Sequence, residues 1–272
     1  MSTRPPITFT LDLEDHRPSN DVPVRFPDVT RRVLDWLGGL KVRGTVFCVG
    51  EDAAAEPSLI RDVAASGHEL ALHGWRHVPL PEIDPATFRE EVRRGKALLE
   101  DLGGREITGF RAPMFSLVPE SRWATDVLGE FGFRYSSSVL PARNPLFGDP
   151  TCTRVPFEWP NGLLELPCPV ARVGPVKLPY LGGVYLRTLP LPVIRSLLAM
   201  HRGDPLPWVY SHPYDFDRDE PRWRVPEVGR FGNRLLWYNR NNTFAKVERL
   251  LRGRAGPPLG ERVAEARAEV RV

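Results

Sequence analysis

The sequence predicts an α/β fold, a mostly parallel sheet or barrel that gathers its functional groups at the C-terminal ends of the strands. Three observations point there. Short β-branched or apolar runs alternate with helix-patterned segments through the first half of the chain, the order expected of parallel strands joined by crossover helices. One run, Gly44 to Val49, is apolar throughout, as in a strand covered on both faces. The polar residues that stand out, Asp12, His73, Arg111, Ser136 and His212, each fall where a strand is expected to end.

The elements follow in order. Residues 7–13 alternate, with Thr8, Thr10 and Asp12 on one face and Phe9, Leu11 and Leu13 on the other. The run continues into Glu14-Asp15-His16. Carboxylates so close together repel, and a bound cation would offset that cost; a loop with helix-capping carboxylates is the plainer alternative. Helical spacing runs from Pro27 to Leu37 and stops at Gly38-Gly39. After the strand at 44–49, a helix is expected over Pro57 to Ala65. The strand Glu69 to Leu72 then delivers His73. Phe88 to Leu102 is an amphipathic helix ended by Gly103-Gly104. A strand over 107–111 leads into Arg111-Ala112-Pro113-Met114-Phe115, followed by a helix from Trp123 to Phe131 and a strand from Arg134 to Val139. Residues 140–190 are proline-rich and irregular. They also carry large apolar residues, so they read as ordered loops walling a cleft, with a short strand at Leu163 to Leu166. Gly182-Gly183 marks a close backbone approach, to a substrate or within a turn. A short helix over 193–201 precedes the last strand, Trp208 to Tyr210, which ends in Ser211-His212-Pro213-Tyr214. The last helix covers 241–251. One catalytic domain is expected over 1–252, with 253–272 as a basic tail.

Bulk properties narrow the class. With 42% apolar residues in 272, the chain can bury a substantial core, and no run approaches the roughly 20 apolar residues of a membrane span. The first residues lack the apolar core of a secretory signal, so a cytoplasmic protein is expected. Three cysteines without CxxC spacing read as reduced thiols, not as a disulfide frame or zinc knuckle. A net charge of +3 is small for this length, and no nucleic-acid partner is expected. Val184 to Met200, with Arg187 and Arg195, would suit peripheral contact with the inner membrane face, or burial in the core. The oligomeric state is left open.

The residue types point to hydrolysis. His73 and His77 stand four apart, and on a helical turn both rings would reach one divalent ion. The third ligand is Glu14 or Asp15. Strand alternation favours Glu14, which shares a face with Asp12, whereas Asp15 would need a bulge. Imidazole and carboxylate donors suit zinc first, and also cobalt, nickel or iron. Asp12 would be the general base, His212 would protonate the leaving nitrogen, and Arg111 would hold Asp12 ionised. Trp75 and Tyr214 offer aromatic faces for a ligand or for core packing. His16 and His68 read as structural. Each of these residues taken alone has a bland alternative; their joint occurrence at successive strand ends carries the metal-site reading.

Five segments in this order resemble the motifs of the polysaccharide deacetylase superfamily (NodB homology, carbohydrate esterase family 4). They are Thr10-Leu11-Asp12-Leu13-Glu14-Asp15, the pair His73 and His77, Arg111-Ala112-Pro113 with Phe115, Tyr135-Ser136-Ser137-Ser138, and Val209-Tyr210-Ser211-His212-Pro213. The resemblance spans roughly residues 7–250, and the form of the first and fourth segments looks most like the branch found near exopolysaccharide gene clusters. It implies a distorted (β/α) barrel that binds a divalent metal and removes an N-acetyl group from a sugar or glycan, with Pro113, Phe115, Trp75 and Tyr214 beside the substrate. Two departures stand out. The family's first motif has adjacent aspartates, base and then ligand, but here Leu13 intervenes. Its fourth motif carries an Asp and a Trp flanking the catalytic histidine, but here serines stand there, which leaves open what orients His212. A related amidohydrolase acting on a formamido sugar or cyclic ureide, and an inactive carbohydrate-binding homologue, are the alternatives.

Overall fold

The computed structural model describes residues 5–19, 21–200, 206–224 and 229–270. The first half of the chain builds β1 (Thr8–Leu13), α1 (Phe26–Leu40), β2 (Gly44–Cys48), α2 (Gly50–Ala55), α3 (Pro57–Ala65), β3 (Glu69–Leu72), α4 (Pro85–Gly103), β4 (Gly109–Phe110), α5 (Trp123–Glu130) and β5 (Tyr135–Ser136). The second half adds β6 (Phe157–Glu158), β7 (Leu164–Glu165), β8 (Val170–Val173), β9 (Val176–Pro179), α6 (Gly183–Thr188), α7 (Leu191–Met200), β10 (Trp208–Ser211), α8 (Gly229–Trp237), α9 (Thr243–Leu251) and α10 (Val263–Val270).

Eight strands form one curled sheet in the order β10-β1-β2-β3-β4-β5-β7-β6, parallel except for the edge strand β6. This is the expected α/β architecture, a distorted and incompletely closed barrel. Strand alternation divides the core in two. Phe9, Leu11, Val46 and Cys48 pack outward against the helices, while Phe47, Ala71, Tyr135, Leu164 and Trp208 fill the hollow of the curled sheet. Local signals act as their chemistry requires. Pro27 opens α1, and Asp84 caps α4 by accepting from the Ala86 and Thr87 amides.

Three local expectations are corrected. The strands at 107–111 and 134–139 shorten to two residues each. Past Ser136 the chain leaves the ladder because the Ser138 and Val139 amides donate to the buried Glu165 carboxylate instead of to a neighbouring strand. The close approach at Gly182 is to the Tyr210 ring, where a Cβ would lie 2.0 Å from a ring carbon, so that glycine makes room for core packing. The stretch read as a basic tail is packed. Gly256 N donates to Ile7 O, Leu259 N to the Thr45 hydroxyl and Gly260 N to Glu69, and Leu259, Arg262 and Ala266 are buried against the barrel. The 140–190 region, which has no clear period in sequence, holds the β8–β9 hairpin and α6. Among the described residues no helix is long and apolar enough to cross a membrane. Of Val184 to Met200, Leu186, Arg187, Ile194, Leu197 and Leu198 are buried, which is core packing.

Candidate active site

Register brings the candidate residues together. Leu11 pairs with Ser211, so Asp12 and His212 leave adjacent strands at one level. Leu72 pairs with Phe110, which sets His73 beside Arg111. Asp12 and Glu14, two residues apart, project on the same side of β1 and its extension. The nearest oxygen of each carboxylate lies 4.0 Å from His212 Nε2.

Glu14, His73 and His77 present ligand atoms that all lie within 4.8 Å of one another. His73 Nδ1 is 2.8 Å from the Arg111 carbonyl, which can only accept, so the proton sits on Nδ1 and the Nε2 lone pair faces the group. Burial presses the His73 pKa down to about 4 against the pull of Asp12 and Glu14, so the ring stays neutral near pH 7. His77 Nε2 lies 2.6 Å from Glu14 Oε2. Burial opposes a charged His77, yet the Glu14 carboxylate and its hydrogen bond raise the pKa. Burial likewise works against an ionised Glu14, but His77, His212 and His73 outweigh it and hold the carboxyl well below its usual range. Two imidazoles and one carboxylate, buried save for a half-buried His77 and converging with the His73 lone pair free, fit a divalent ion.

The expected helical turn between the two histidines does not form. His73 to His77 follow a loop in which Gly74 has φ +74° and His77 φ +56°, and that path leaves the ring centroids 5.0 Å apart. Asp15 is not part of the group. Its carboxylate turns to Arg17 at 2.6 Å, and its amide donates to Asp52.

Arg111 is fully buried between Phe47 and Trp208, its guanidinium carbon 3.9 and 4.4 Å from their ring centroids. It donates to Asp12 Oδ1, the Thr10 hydroxyl, the Ser137 carbonyl and the Ser137 hydroxyl. Ser137 of the serine stretch therefore orients Arg111, and among the described residues no hydrogen bond joins that stretch to His212. Asp215 orients His212. Its carboxylate accepts from both His212 Nδ1 and the His212 amide at 2.9 Å, and Arg187 lies behind it, with Nε 2.7 Å from Oδ1 but off the hydrogen-bond axis. Burial opposes a charged His212, but the Asp215 hydrogen bond and the charges of Glu14, Asp215 and Asp12 raise its pKa to about 9. Burial opposes an ionised Asp215 too, yet Arg187 and His212 bring it to about 2. Sequence reasoning missed Asp215 and Arg187. The signal for Asp215 was present, an Asp three residues after a histidine that opens a Pro-led turn. Arg187 lies in a stretch read as apolar and gave none.

Of the residues expected to meet substrate, Tyr214 stacks on His212 with ring centroids 4.6 Å apart at 6° and lies at the site. Phe115 packs edge-on against Tyr210, and Pro113 is buried against Gly74. Trp75, in the loop between the two histidines, is buried, with Arg94 stacked 3.8 Å from its ring centroid. His68 accepts the Gly44 amide and is structural.

Fold and site together define a half-barrel with a buried carboxylate–diimidazole group at its strand ends. Residues 5–135 match the family model described as polysaccharide deacetylase, and residues 137–255 match one described as a domain of unknown function, DUF3473. Residues 5–135 of the chain belong to the polysaccharide deacetylase superfamily. It is 27% identical over 103 residues to a peptidoglycan-N-acetylglucosamine deacetylase of Bacillus cereus, covering 37% of this chain and 38% of that protein. It is 32% identical over 102 residues to a chitooligosaccharide deacetylase of Bradyrhizobium, covering 38% and 44%. The chain thus spans less than half the length of these curated relatives. A crystal structure from Mycobacterium smegmatis, assigned provisionally to the polysaccharide deacetylases, superposes with a TM-score of 0.64 at 21% identity, over 97% of this chain and 91% of that one.

Proposed function

We propose that the chain is a metal-dependent hydrolase that removes an N-acetyl group from an amino sugar in a surface-polysaccharide or glycoconjugate pathway. The observation that carries this reading is the convergence of a restrained carboxylate, Asp12, and a raised-pKa imidazole, His212, on the Glu14–His73–His77 group. The names of the relatives supply the substrate class: they act on N-acetylated glycans. A divalent ion held by Glu14, His73 and His77 would act as a Lewis acid and lower the pKa of a bound water; the donor set suits zinc, and also cobalt, nickel or iron.

The chain's own residues divide the remaining work. Arg111 fixes Asp12 Oδ1, which leaves Oδ2 to take a proton from the attacking water. His212, held at Nδ1 by Asp215, carries its transferable proton on Nε2, facing the two carboxylates, and gives it to the departing nitrogen. Tyr214, stacked on His212, fixes the ring plane.

The place of action in this reading is the cytoplasm, on a soluble or lipid-linked sugar; the three cysteines, all unpaired, are in keeping with a reducing compartment. Cell fractionation that found the protein outside the cytoplasmic membrane would overturn that part. For the reaction, metal-loaded protein is incubated with N-acetylhexosamine oligomers and released acetate is measured. Asp12→Asn and His212→Ala should each lower turnover about 100-fold or more while keeping the metal. Ring-opening of a cyclic ureide or release of formate, with no acetate from any sugar, would replace the deacetylase by an amidohydrolase.

A further inference from the structure

Linked to the metal-ligand group through His16 and Tyr214 is a concavity that the deacetylation reading does not use. It is a cleft of about 1320 Å³ between the 218–224 segment and α8, larger than the ~300–1,000 Å³ of ordinary small-molecule pockets. Its walls carry six arginines and a single carboxylate, Glu220, and that carboxylate is already taken by Arg240 and His16. Among the described residues, Arg222, Arg224, Arg230 and Arg234 make no ion pair.

The helix face is unusual for its position. Residues 230, 233, 234 and 237 all line the cleft, at the i, i+3, i+4, i+7 spacing by which a helix normally presents an apolar stripe. Here the stripe reads Arg-Asn-Arg-Trp. Placing Arg230 and Arg234 at i, i+4 costs helix stability through like-charge repulsion. An anion in the cleft removes that cost. Trp223 and Trp237 meet edge to face at 5.4 Å, and both line the same cleft, so aromatic surface and guanidinium groups are interleaved. Aromatic surface packs on the apolar side of a sugar ring, and guanidinium groups bind phosphate or carboxylate through paired hydrogen bonds.

The cleft is joined to the site by direct contacts. His16 lies 5.4 Å from Trp223 and 4.2 Å from Tyr214, ring to ring, and Tyr214 is the residue stacked on His212. Arg187 Nη1 binds the carbonyls of Leu235, Leu236 and Tyr238 at the end of α8 while its Nε faces Asp215.

We propose that this cleft is a subsite for an acidic saccharide, binding the phosphate or carboxylate groups of a glycan whose N-acetylated sugar lies at the metal-ligand group. The proposal rests on the deacetylase reading for the neighbouring sugar but is tested by binding alone. Metal-loaded protein is titrated calorimetrically at low salt with a hyaluronan hexasaccharide, with UDP-N-acetylglucosamine and with neutral chitohexaose. At least one acidic probe should bind ten times more tightly than chitohexaose, and that advantage should shrink as salt is raised. The two acidic probes separate a carboxylate source from a diphosphate source. The double variants Arg230→Ala/Arg234→Ala, on α8, and Arg222→Ala/Arg224→Ala, off it, should each cut the advantage at least fivefold. The second pair keeps the test available if the helix variant does not fold. Equal affinity for charged and neutral probes, or an advantage unchanged in a folded variant, overturns the subsite. So does equally tight binding of a single-stranded oligonucleotide, which would make the cleft a general polyanion site. Acid-selective binding without acetate release from any substrate would count against the deacetylase reading and leave the subsite standing.

Discussion

At the residue scale, the site is built from charges that cannot do without one another. Arg111 is fully buried and its partner Asp12 nearly so. Removing the guanidinium leaves a carboxylate uncompensated in the interior, so Arg111→Ala should cost about 3–5 kcal/mol of unfolding free energy in a denaturant titration. Arg111→Lys should also destabilise, because an ammonium cannot reach Thr10, Asp12 and Ser137 together or fill the slot between Phe47 and Trp208. Asp215 sets the other proton-transfer group. With its carboxylate the His212 pKa is raised to about 9; Asp215→Asn removes the negative charge, so the alkaline limb of kcat/KM should move to lower pH and turnover should fall. A limb that stays in place would show that His212 does not set it. Asp12, Glu14, His73, His77, Arg111 and His212 were legible because reactive side chains followed apolar strands. Arg187 was not, since nothing local distinguishes an arginine that reaches a distant carboxylate from one that reaches water.

At the element scale, loops make the group and strands only aim it. The histidine pair looked helical because an i, i+4 spacing fits a helical turn, yet Gly74 and His77 at positive φ achieve the same convergence in a loop. Strand alternation did anticipate that Glu14, not Asp15, lies with the two histidines; on the metal reading, Glu14→Ala should lose bound metal on dialysis, and Asp15→Ala should keep it. The C-terminal segment was misjudged from composition. Its arginines suggested a solvated tail, whereas Arg262 is buried and reaches the Pro6 carbonyl and the Thr8 hydroxyl. A chain cut after Gly253 exposes the inner core under Leu259 and Ala266 and takes the Gly260 amide from the buried Glu69 carboxylate, and it should melt at clearly lower temperature or aggregate. An unchanged melting temperature would restore the tail.

For the whole molecule, the site makes stability depend on pH in both directions. His212 and His77 have folded pKa values above the usual histidine value, so the stability they contribute is complete below about 6.5 and is lost as pH rises, for His212 through about 9. His73 is lowered to about 4, so its contribution is lost as pH falls from about 6.5. Asp215, lowered to about 2, and Glu14, also lowered, lose theirs at still lower pH. Metal-free protein should therefore show its highest melting temperature near pH 6.5 and decline on either side; a monotonic profile would contradict this balance. A divalent ion should raise the melting temperature more at pH 8 than at pH 5.5, because it competes with protons for the same lone pairs. The first half of the fold was readable because its strands and helices keep strict periods. In the second half, α7, β10 and α9 were readable for the same reason, whereas the β8–β9 hairpin, α6, α8 and α10 were not, because that part is proline-broken and held by long-range side-chain bonds such as Glu165 to the Ser138 and Val139 amides.

The pairing of β1 with β10, and of Ile7 with Ala255, has a consequence in time. The ribosome makes Asp12 and Glu14 some 200 residues before His212. Until then β1 has an open edge, and the two carboxylates lack the imidazole that faces them. A chain growing at about 5–20 residues per second leaves that edge bare for some tens of seconds at the slower rate. On the proposed reading, the nascent protein would carry Glu14, His73 and His77 well before His212, so the ability to hold an ion would precede the ability to use it.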